Sequence, residues 1–455
     1  MGISKFEGGN MLEKLFKLTE KKTTVRTEII AGVTTFLAMA YILAVNPAIL
    51  GDAGMDAQSV FLATAIASAL GSVLMGLFAN YPVALAPGMG VNAFFTYSAV
   101  MLMGETWQSA LAAVFVSGVL FLLISVTGVR KVIINAIPKQ LKIAIAAGIG
   151  FFIAFVGLKN AGIIVASEAT GVAMGALTEP TVLLAIFGII VTFALVARNV
   201  PAAVFLGLVI TAVVGLVFGL MGVEGMPQLP ETFELNFKMT TIGGFAEGFS
   251  QLFSNIPNMI VIVFSFLFVD FFDTAGTLVG IGNRIGLVND EGEMEGVEKA
   301  LLADAIASVV GSMIGTSTVT SFVESTSGVA VGGRTGLTAI TTGVLFLVSI
   351  LFAPIVLSVV TSAVTTPALV VVGVMMSQQL KEIDWDDFAF AASGFVTVIM
   401  MILTYSIANG IAWGFIIYTI VMLATKRSNK ISPVVVALDI VFILYFSMDV
   451  WMKWF

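Results

Sequence analysis

Two carboxylates lie three residues apart in the apolar segment VFSFLFVDFFDTAGTLVG, residues 263–280. At this spacing Asp270 and Asp273 share one helix face, and Thr274 and Thr277 lie beside them. Two acids so close in a low-dielectric environment do not both ionise readily, and an acid buried in hydrocarbon is costly unless it has a function. The pattern favours a site that binds a polar molecule or carries a proton. Acids hydrogen-bonded to helix ends are the alternative.

A second segment, GTSTVTSFVESTSGVAVGGRTGL at 315–337, places one carboxylate, Glu324, among hydroxyls and glycines between two apolar runs. Irregular backbone at membrane depth persists only where protein buries it or where it lines a cavity. The segment has room for a single crossing. We therefore predict a broken helix that forms half of a binding site, in preference to an extramembrane loop with a solvated glutamate.

Three further side chains could complete this chemistry. Asn92, in ALAPGMGVNAFF, offers both hydrogen-bond donors and acceptors. Phe94 could stack on a flat ligand, although a phenylalanine in a membrane span more often serves packing. Asp304 lies in the preceding apolar run, and it could carry a proton or brace Glu324, since nearby hydroxyls would satisfy it.

The chain has 455 residues, of which 58% are hydrophobic and 11% charged, and its mean hydropathy is +1.07. Ordinary soluble domains do not reach such values, so we predict a polytopic membrane protein. The absence of cysteine excludes disulfides and thiol chemistry, and the absence of histidine leaves proton transfer within the membrane to carboxylates. The net charge of −7 does not indicate binding to nucleic acid. We expect neither a metal nor a cofactor.

Apolar runs of membrane length predict fourteen spans and one further run. The spans are 28–49, 58–79, 83–99, 107–128, 140–160, 180–197, 202–222, 256–281, 300–315, 320–334, 337–361, 366–380, 387–405 and 408–424, and the further run is 431–452. If the Lys-rich N-terminal tail is cytoplasmic, most other cations also fall inside, as the positive-inside rule requires. The inside cations are Arg130, Lys131, Lys139, Lys142, Arg198, Arg284, Lys299, Arg334, Lys381, Lys426, Arg427 and Lys430, and the outside ones are Lys159 and Lys238.

The two halves of the chain resemble each other. Leu62–Ser72 reads LATAIASALGS and Leu302–Ser312 reads LADAIASVVGS, with eight of eleven positions identical at an offset of 240 residues. Flanking elements follow in the same order, so we favour an internal duplication over chance similarity between Ala/Ser-rich helices. Seven spans per half would place the copies in opposite orientations. Inverted repeats with broken helices in corresponding positions are typical of transporters, whose site lies where the copies meet.

Four motifs together resemble the AzgA-like purine permeases, a branch of the nucleobase-ascorbate transporter family. They are FLAMAYILAVNP in the first span, ALAPGMGVNAFF in the third, DFFDTAGTL in the eighth and GTSTVTSFVESTSGVAVGGRTGLTA in the tenth. The resemblance covers nearly the whole chain. It implies an all-α polytopic membrane fold, a 7+7 transmembrane inverted repeat with discontinuous third and tenth spans. It also implies proton-coupled, elevator-type uptake of hypoxanthine, guanine or adenine across the cell membrane, by a homodimer with cytoplasmic N-termini.

The same resemblance divides the chain into two domains. The core domain comprises 27–128 (spans 1–4) and 256–361 (spans 8–11), and the gate domain comprises 129–222 (spans 5–7) and 362–425 (spans 12–14). The remaining segments are the N-terminal tail 1–26, an external loop 223–255 and a C-terminal segment 426–455.

By motif match, the resemblance implies that Asp270, Glu324 and Asn92 bind the substrate and that Asp273 supports them. We add Phe94, Thr274, Val323 and Ser325 to the predicted substrate-binding set, and expect the coupled proton on Glu324, Asp270, Asp273 or Asp304. Carboxylates accept paired N–H donors strongly, which suits the edge of a purine, and an acid-lined pocket disfavours anions such as sulfate, bicarbonate or ascorbate. Uracil and xanthine relatives place a histidine near this region, and this chain has none.

Two alternatives remain. An Asp-x-x-Asp pair can hold magnesium for a prenyl diphosphate, but such an enzyme needs a second acidic cluster and cations, and the spans offer no suitable Lys or Arg. We therefore predict that the protein is not an enzyme. A uracil or xanthine symporter of the same fold is the stronger alternative.

Overall fold

The computed structural model describes residues 8–127, 137–230, 232–285, 294 and 296–454. Most of these residues are helical, but four short strands also form. The expectation of an all-α protein is therefore wrong in detail, and the fold is mostly helical. Two of the strands lie inside the protein, where extended backbone must find hydrogen-bond partners from another segment.

The first half of the chain ends at the predicted external loop. Its elements are α1 (Gly8–Phe16), α2 (Val25–Met39), α3 (Ile42–Asp52), α4 (Ala57–Phe78), β1 (Leu85–Pro87), α5 (Met89–Ala93) with a π-helical continuation (Phe94–Leu102), α6 (Trp107–Thr127), α7 (Lys139–Asn160), β2 (Ile164–Ser167), β3 (Gly171–Met174), α8 (Pro180–Ala197) and α9 (Ala203–Leu220).

The second half repeats the order of helix, helix, strand and short helix. Its elements are α10 (Gly244–Leu252), α11 (Ile256–Ile285), α12 (Val297–Ile314), β4 (Val319–Ser321), α13 (Ser325–Ala330), α14 (Gly336–Ser349), α15 (Ala353–Val359), α16 (Ser362–Ser377), α17 (Phe388–Leu403), α18 (Ile407–Ala424) and α19 (Pro433–Trp454).

Within the described residues, nine helical segments are long and apolar enough to cross a membrane. In α8, α9 and the stretch 336–359, only 28%, 33% and 28% of the most apolar window is buried by protein. Such large exposed apolar surfaces are typical of contact with lipid. Four shorter apolar helices accompany them, including α5 with its continuation and α17.

The strands β1 and β4 pair in antiparallel register, with Leu85 opposite Ser321 and Pro87 opposite Val319. Each strand leads directly into a short helix, α5 or α13, so both segments predicted to be discontinuous combine extended and helical backbone. The pairing continues beyond the strands, since the Phe322 N–H donates to the carbonyl of Ala84 at 3.0 Å. Each segment thus supplies the hydrogen bonds that the other would lack at membrane depth.

A serine braces each of these strands in the same way. Ser72 Oγ, on α4, accepts from the N–H of Leu85 at 2.9 Å and donates to its carbonyl at 3.2 Å. Ser308 Oγ, on α12, accepts from the N–H of Val319 at 3.2 Å and donates to its carbonyl at 2.9 Å. In the predicted duplication these serines occupy positions one helical turn apart. The two halves therefore use the same contact from neighbouring turns of corresponding helices.

The helices pack in two groups. In one, α4 contacts α12 and α14, α6 contacts α10, α11 and α12, and α2 contacts α13 and α14. In the other, α7 contacts α16 and α17, α8 contacts α9 and α16, and α17 contacts α18. The groups meet through fewer contacts, such as those of α3 with α16 and of the π-helical segment with α18.

Several boundaries differ from the predicted spans. The first span is interrupted at Ala40–Tyr41, between α2 and α3, and the predicted external loop contains α10, which packs on α6. The hairpin of β2 and β3, with Gly171 at φ +77°, was not expected. Residues 1–7 of the predicted tail, together with Arg130, Lys131 and the side chain of Arg284, lie outside the described residues.

Candidate functional site

Two acids at the junction of the strands and helices are partly exposed. Asp273 lies on α11 and Glu324 directly precedes α13, and their carboxyl groups are near enough to interact electrostatically. The hydroxyl of Tyr41, at the interruption between α2 and α3, donates a hydrogen bond to Oε1 of Glu324. Because Tyr41 itself is 1% exposed, this contact fixes the glutamate from the buried side.

Two further acids lie in a fully buried layer beside this pair. Asp270 and Asp304 are both 0% exposed and interact electrostatically with each other. Asp304 Oδ1 accepts from Thr274 Oγ1 at 2.8 Å and from Ser321 Oγ at 3.3 Å. These contacts join α11, α12 and β4 through a single carboxylate.

One oxygen of each buried acid is left over. Asp270 Oδ2 lies 3.4 Å from Ser308 Oγ, whereas Asp270 Oδ1 and Asp304 Oδ2 have no hydrogen-bond partner among the described residues. A buried unpaired carboxylate oxygen is costly. A proton carried on one of the two acids would remove charge from this layer and provide a donor.

Asn92 lies on α5, the short helix that follows β1. Its Oδ1 accepts a hydrogen bond from Ser317 Oγ, and its Nδ2 is buried without a partner in the described part of the chain. A buried amide donor without an acceptor is costly, as a buried unpaired carboxylate oxygen is.

The four remaining predicted substrate-binding residues lie in different surroundings. Thr274 is in the buried acid layer, where it also accepts from the N–H of Ser321 at 3.3 Å. Ser325 Oγ accepts from the N–H of Ala84 at 3.0 Å and so braces β1. Phe94 is 0% exposed, and its ring packs edge-on to Phe266 with 4.9 Å between centroids. The Val323 side chain is 48% exposed.

Sequence reasoning missed two polar residues of the first span. Tyr41 contacts Glu324, and Asn46 Nδ2 donates to Thr64 Oγ1 at 2.7 Å and to Thr316 Oγ1 at 2.9 Å. Both are almost fully buried. A signal was present, because a tyrosine and an asparagine interrupt an otherwise apolar run in FLAMAYILAVNP.

The far end of α13 is fixed by a separate polar cluster. Arg334 Nη1 donates to the carbonyls of Val329 and Gly333 at 2.8 and 2.7 Å, which satisfies the helix C-terminus. Glu28, buried on α2, accepts from the N–H of Arg334 at 2.9 Å and from Thr338 Oγ1 at 2.6 Å. Arg334 therefore anchors the broken segment and does not contact the acid site.

The polar groups of the site suit a molecule with N–H donors. Asp273 and Glu324 offer acceptor oxygens, Asn92 offers a donor, and the segments before α5 and α13 bring backbone groups close. Carboxylates that accept N–H groups make stronger hydrogen bonds than neutral acceptors do.

The chain is similar to transport proteins over almost its full length. The profile of the permease family Xan_ur_permease matches residues 26–413. The guanine/hypoxanthine permease PbuG of Bacillus subtilis (strain 168) is 48% identical over 449 residues, covering 96% of this chain and 99% of that protein. The adenine permease AdeP of Escherichia coli (strain K12) is 44% identical, covering 96% of each chain.

Solved structures share the fold at low sequence identity. The transmembrane domain of the cyanobacterial bicarbonate transporter BicA has a TM-score of 0.62 and 17% identity, covering 84% of this chain and 96% of that one. SLC26A9 has a TM-score of 0.62 and 11% identity, covering 92% of this chain and 70% of that one. The fold is thus a mostly helical polytopic membrane fold similar to these transporters. The family profile and the high identity to the relatives show that this multi-pass membrane protein belongs to the permease family.

Proposed function

We propose that the protein takes up purine nucleobases, with hypoxanthine, guanine or adenine as substrate, together with a proton. The observation that carries the proposal is that Asp273 and Glu324 lie close together beside the paired strands β1 and β4. The chain that carries them is 48% identical to a guanine/hypoxanthine permease and 44% identical to an adenine permease. It is a transport protein of a permease family and not an enzyme.

The substrate lies against the ends of α5 and α13. Glu324 and Asp273 accept N–H groups of the base, Asn92 Nδ2 donates to a ring nitrogen or carbonyl, and Asp270 supports the site from the buried layer. This charge arrangement also supports a neutral base over an anion, because acids facing the pocket repel negative charge. The shared fold with a bicarbonate transporter therefore does not imply a shared substrate.

The proton resides on Glu324, Asp270, Asp273 or Asp304. A proton on any of them changes the set of donors and acceptors that the base meets, so binding of proton and base are coupled, and such coupling is reciprocal. The unpartnered oxygens of Asp270 and Asp304 favour the buried layer as the proton's resting place.

Transport moves the site by rigid-body displacement of one helix group against the other, as in an elevator. The group containing α2, α4, α6, α11, α12 and α14 is the core domain, and the group containing α7, α8, α9, α16, α17 and α18 is the gate domain. This division follows from the proposed 7+7 inverted repeat, and the sparse contacts between the groups support it. The protein works in the cell membrane with its N-terminus in the cytoplasm, as a homodimer.

Uptake of labelled hypoxanthine into cells or proteoliposomes, with competition by guanine, adenine, xanthine and uracil, tests the substrate. We expect purines to compete and uracil to fail. Competition by uracil or xanthine alone would favour the alternative symporter of the same fold. A protonophore should abolish accumulation, whereas accumulation that follows a sodium gradient would refute proton coupling.

A further inference from the structure

Two groups of polar side chains mark opposite ends of the first helical span. Glu28, near the start of α2, contacts the N–H of Arg334, and Asp52, at the end of α3, contacts Tyr97 and Asn160. The helical path between Glu28 and Asp52 is on the order of 35 Å at 1.5 Å per residue, about the thickness of a bilayer. Under the proposed orientation, Asp52 is at the external end.

At that external end, three side chains form a closed hydrogen-bonded triangle. Tyr97 Oη donates to Asp52 Oδ2 at 2.8 Å, and Asn160 Nδ2 lies 3.2 Å from Asp52 Oδ2 and 2.9 Å from Tyr97 Oη. Asp52 and Tyr97 belong to the first helix group, whereas Asn160 ends α7 in the second. The triangle therefore crosses the boundary between the two groups.

A second contact crosses the same boundary beside the first. The Tyr405 ring of the second group lies 5.7 Å from the Tyr97 ring of the first, between centroids. Within the second group, Lys159 Nζ lies 4.2 Å from the centroid of the Tyr405 ring. Tyr405 connects α17 to α18 with φ +53°, a left-handed conformation that is uncommon for a residue with a side chain. The next helix then donates the N–H of Ile407 to Ser98 Oγ at 3.2 Å.

We propose that Asp52, Tyr97, Asn160, Lys159 and Tyr405 form an outer latch that holds the two helix groups together and closes the external path to the site. The inference rests on the proposed function for its orientation and for the movement of the two groups. Its physical basis is that the hydrogen bonds of Asn160 to Asp52 and Tyr97 and the ring contact of Tyr97 with Tyr405 cross the boundary, so displacement of one group against the other must break them. None of the five contacts the acid site, so the latch sets access and not substrate recognition.

The natural absence of cysteine allows a direct test. Ala408 is 1% exposed and follows Ile407 at the start of α18, so Ala408→Cys is a single thiol placed just behind the latch. Asn160→Ala and Tyr97→Phe each remove hydrogen bonds of the triangle, and Tyr97→Phe keeps the ring. Each variant is combined with Ala408→Cys, and a membrane-impermeant thiol reagent is applied from outside. We expect labelling about 3- to 10-fold faster in either variant, because losing one or two hydrogen bonds raises the population of the open state by about that factor.

Gln251→Ala is the matched control. Gln251 Oε1 accepts from Thr106 Oγ1 at 2.8 Å at the same end of the molecule, but both residues lie within the first helix group. With Gln251→Ala added, Ala408→Cys should be labelled at the same rate as without it. Labelling of Asn160→Ala and Tyr97→Phe at the control rate would overturn the latch, even if purine uptake were normal. Faster labelling in a protein that transports no purine would instead support the latch and refute the proposed function.

A covalent latch provides a second measurement. The double variant Asp52→Cys/Asn160→Cys places two thiols where the present side chains lie within hydrogen-bonding distance. Joining them with an oxidant or a short bifunctional thiol reagent should reduce hypoxanthine uptake at least about tenfold, with recovery in reductant after a disulfide. Unchanged uptake in the cross-linked protein would show that the two groups do not separate at this end.

Discussion

The hydroxyl of Tyr41 donates a hydrogen bond to Glu324, which joins the interruption of the first span to the interruption of the tenth. Both residues lie where a helix stops or starts, so their positions depend on the backbone of two separate segments. The contact holds the glutamate oxygens in place before a ligand arrives. It also removes one acceptor position, so under the proposed function the base binds the rest of the carboxylate.

Tyr41→Phe should weaken hypoxanthine binding about 10- to 100-fold, because a hydrogen bond to a charged group contributes roughly 1.5–3 kcal/mol. The ring fills the same space, so the protein should still fold. The effect should appear mainly in KM, measured from initial uptake rates, and the dependence of KM on external pH should change with it. Tyr418→Phe, on α18 and away from the acids, is the control. Equal KM values for both variants would contradict a positioning role for Tyr41.

Glu324→Gln should abolish or severely weaken purine uptake while the protein still reaches the membrane, since the amide keeps the size but loses the charged acceptor. Asp270→Asn should do the same, because it alters the buried layer that supports the site. Direct binding of labelled hypoxanthine to purified variants separates loss of binding from loss of movement. Normal transport affinity in either variant would remove that acid from the site.

Gly328→Ala should destabilise the protein by about 1–3 kcal/mol through overpacking. A Cβ at Gly328 would lie 2.2 Å from Thr35 Oγ1 and 2.6 Å from the carbonyl of Ala31, so α13 cannot keep its distance from α2. Thermal unfolding in detergent measures the loss. The control is Gly51→Ala on α3, where a Cβ meets nothing within 4 Å, and which should be neutral or stabilising by about 0.5–1 kcal/mol.

Asp387→Asn should lower the unfolding midpoint at neutral pH. The Arg427 guanidinium beside Asp387 holds the pKa of that carboxyl below its usual range through hydrogen bonds of 2.5 and 2.9 Å. In the unfolded chain the pKa of an aspartate is about 3.9. Because the folded-state pKa is lower, the ionised carboxylate stabilises the folded protein at pH values above 3.9, roughly, and this stabilisation is lost as the pH falls through the folded-state pKa.

The difference between the parent and Asp387→Asn should therefore begin to shrink below about pH 4 and vanish once the pH is below the folded-state pKa of Asp387. Asp387 also caps α17, since its Oδ1 accepts from the N–H of Ala389 at 3.0 Å. Asparagine caps about as well as aspartate, so Asp387→Ala should cost a further 0.5–2 kcal/mol, roughly, at every pH. A pH-independent difference for Asp387→Asn would show that the ion pair does not contribute.

The sequence motifs singled out four acids that lie close together in the structure. Asp270, Asp273, Asp304 and Glu324 stood out because acids are rare in apolar segments, and the structure brings all four together. Their division into a partly exposed pair and a buried pair depends on rotation about helix axes, which spacing alone does not determine.

Contacts between residues far apart in the sequence were also not predicted. Tyr41 and Glu324 are 283 positions apart, and no local pattern links them. Strand pairing between β1 and β4 was missed for the same reason, since three extended residues give no periodic signal. Polar residues are common at the ends of membrane helices, so the sequence did not indicate that Asp52, Tyr97 and Asn160 form hydrogen bonds between the two helix groups.

The antiparallel pairing of β1 and β4 also constrains biogenesis. Ala84 and Ser325 are 241 positions apart, so the first half of the chain is synthesised and inserted long before the partner of its central strand exists. Until then the N–H and carbonyl groups around Leu85 must be satisfied by water or by a temporary partner, because lipid offers none. The region around these strands is therefore among the last parts of the protein to fold. If synthesis stops after the first half, the inserted fragment can complete its fold only by associating with a separately made second half.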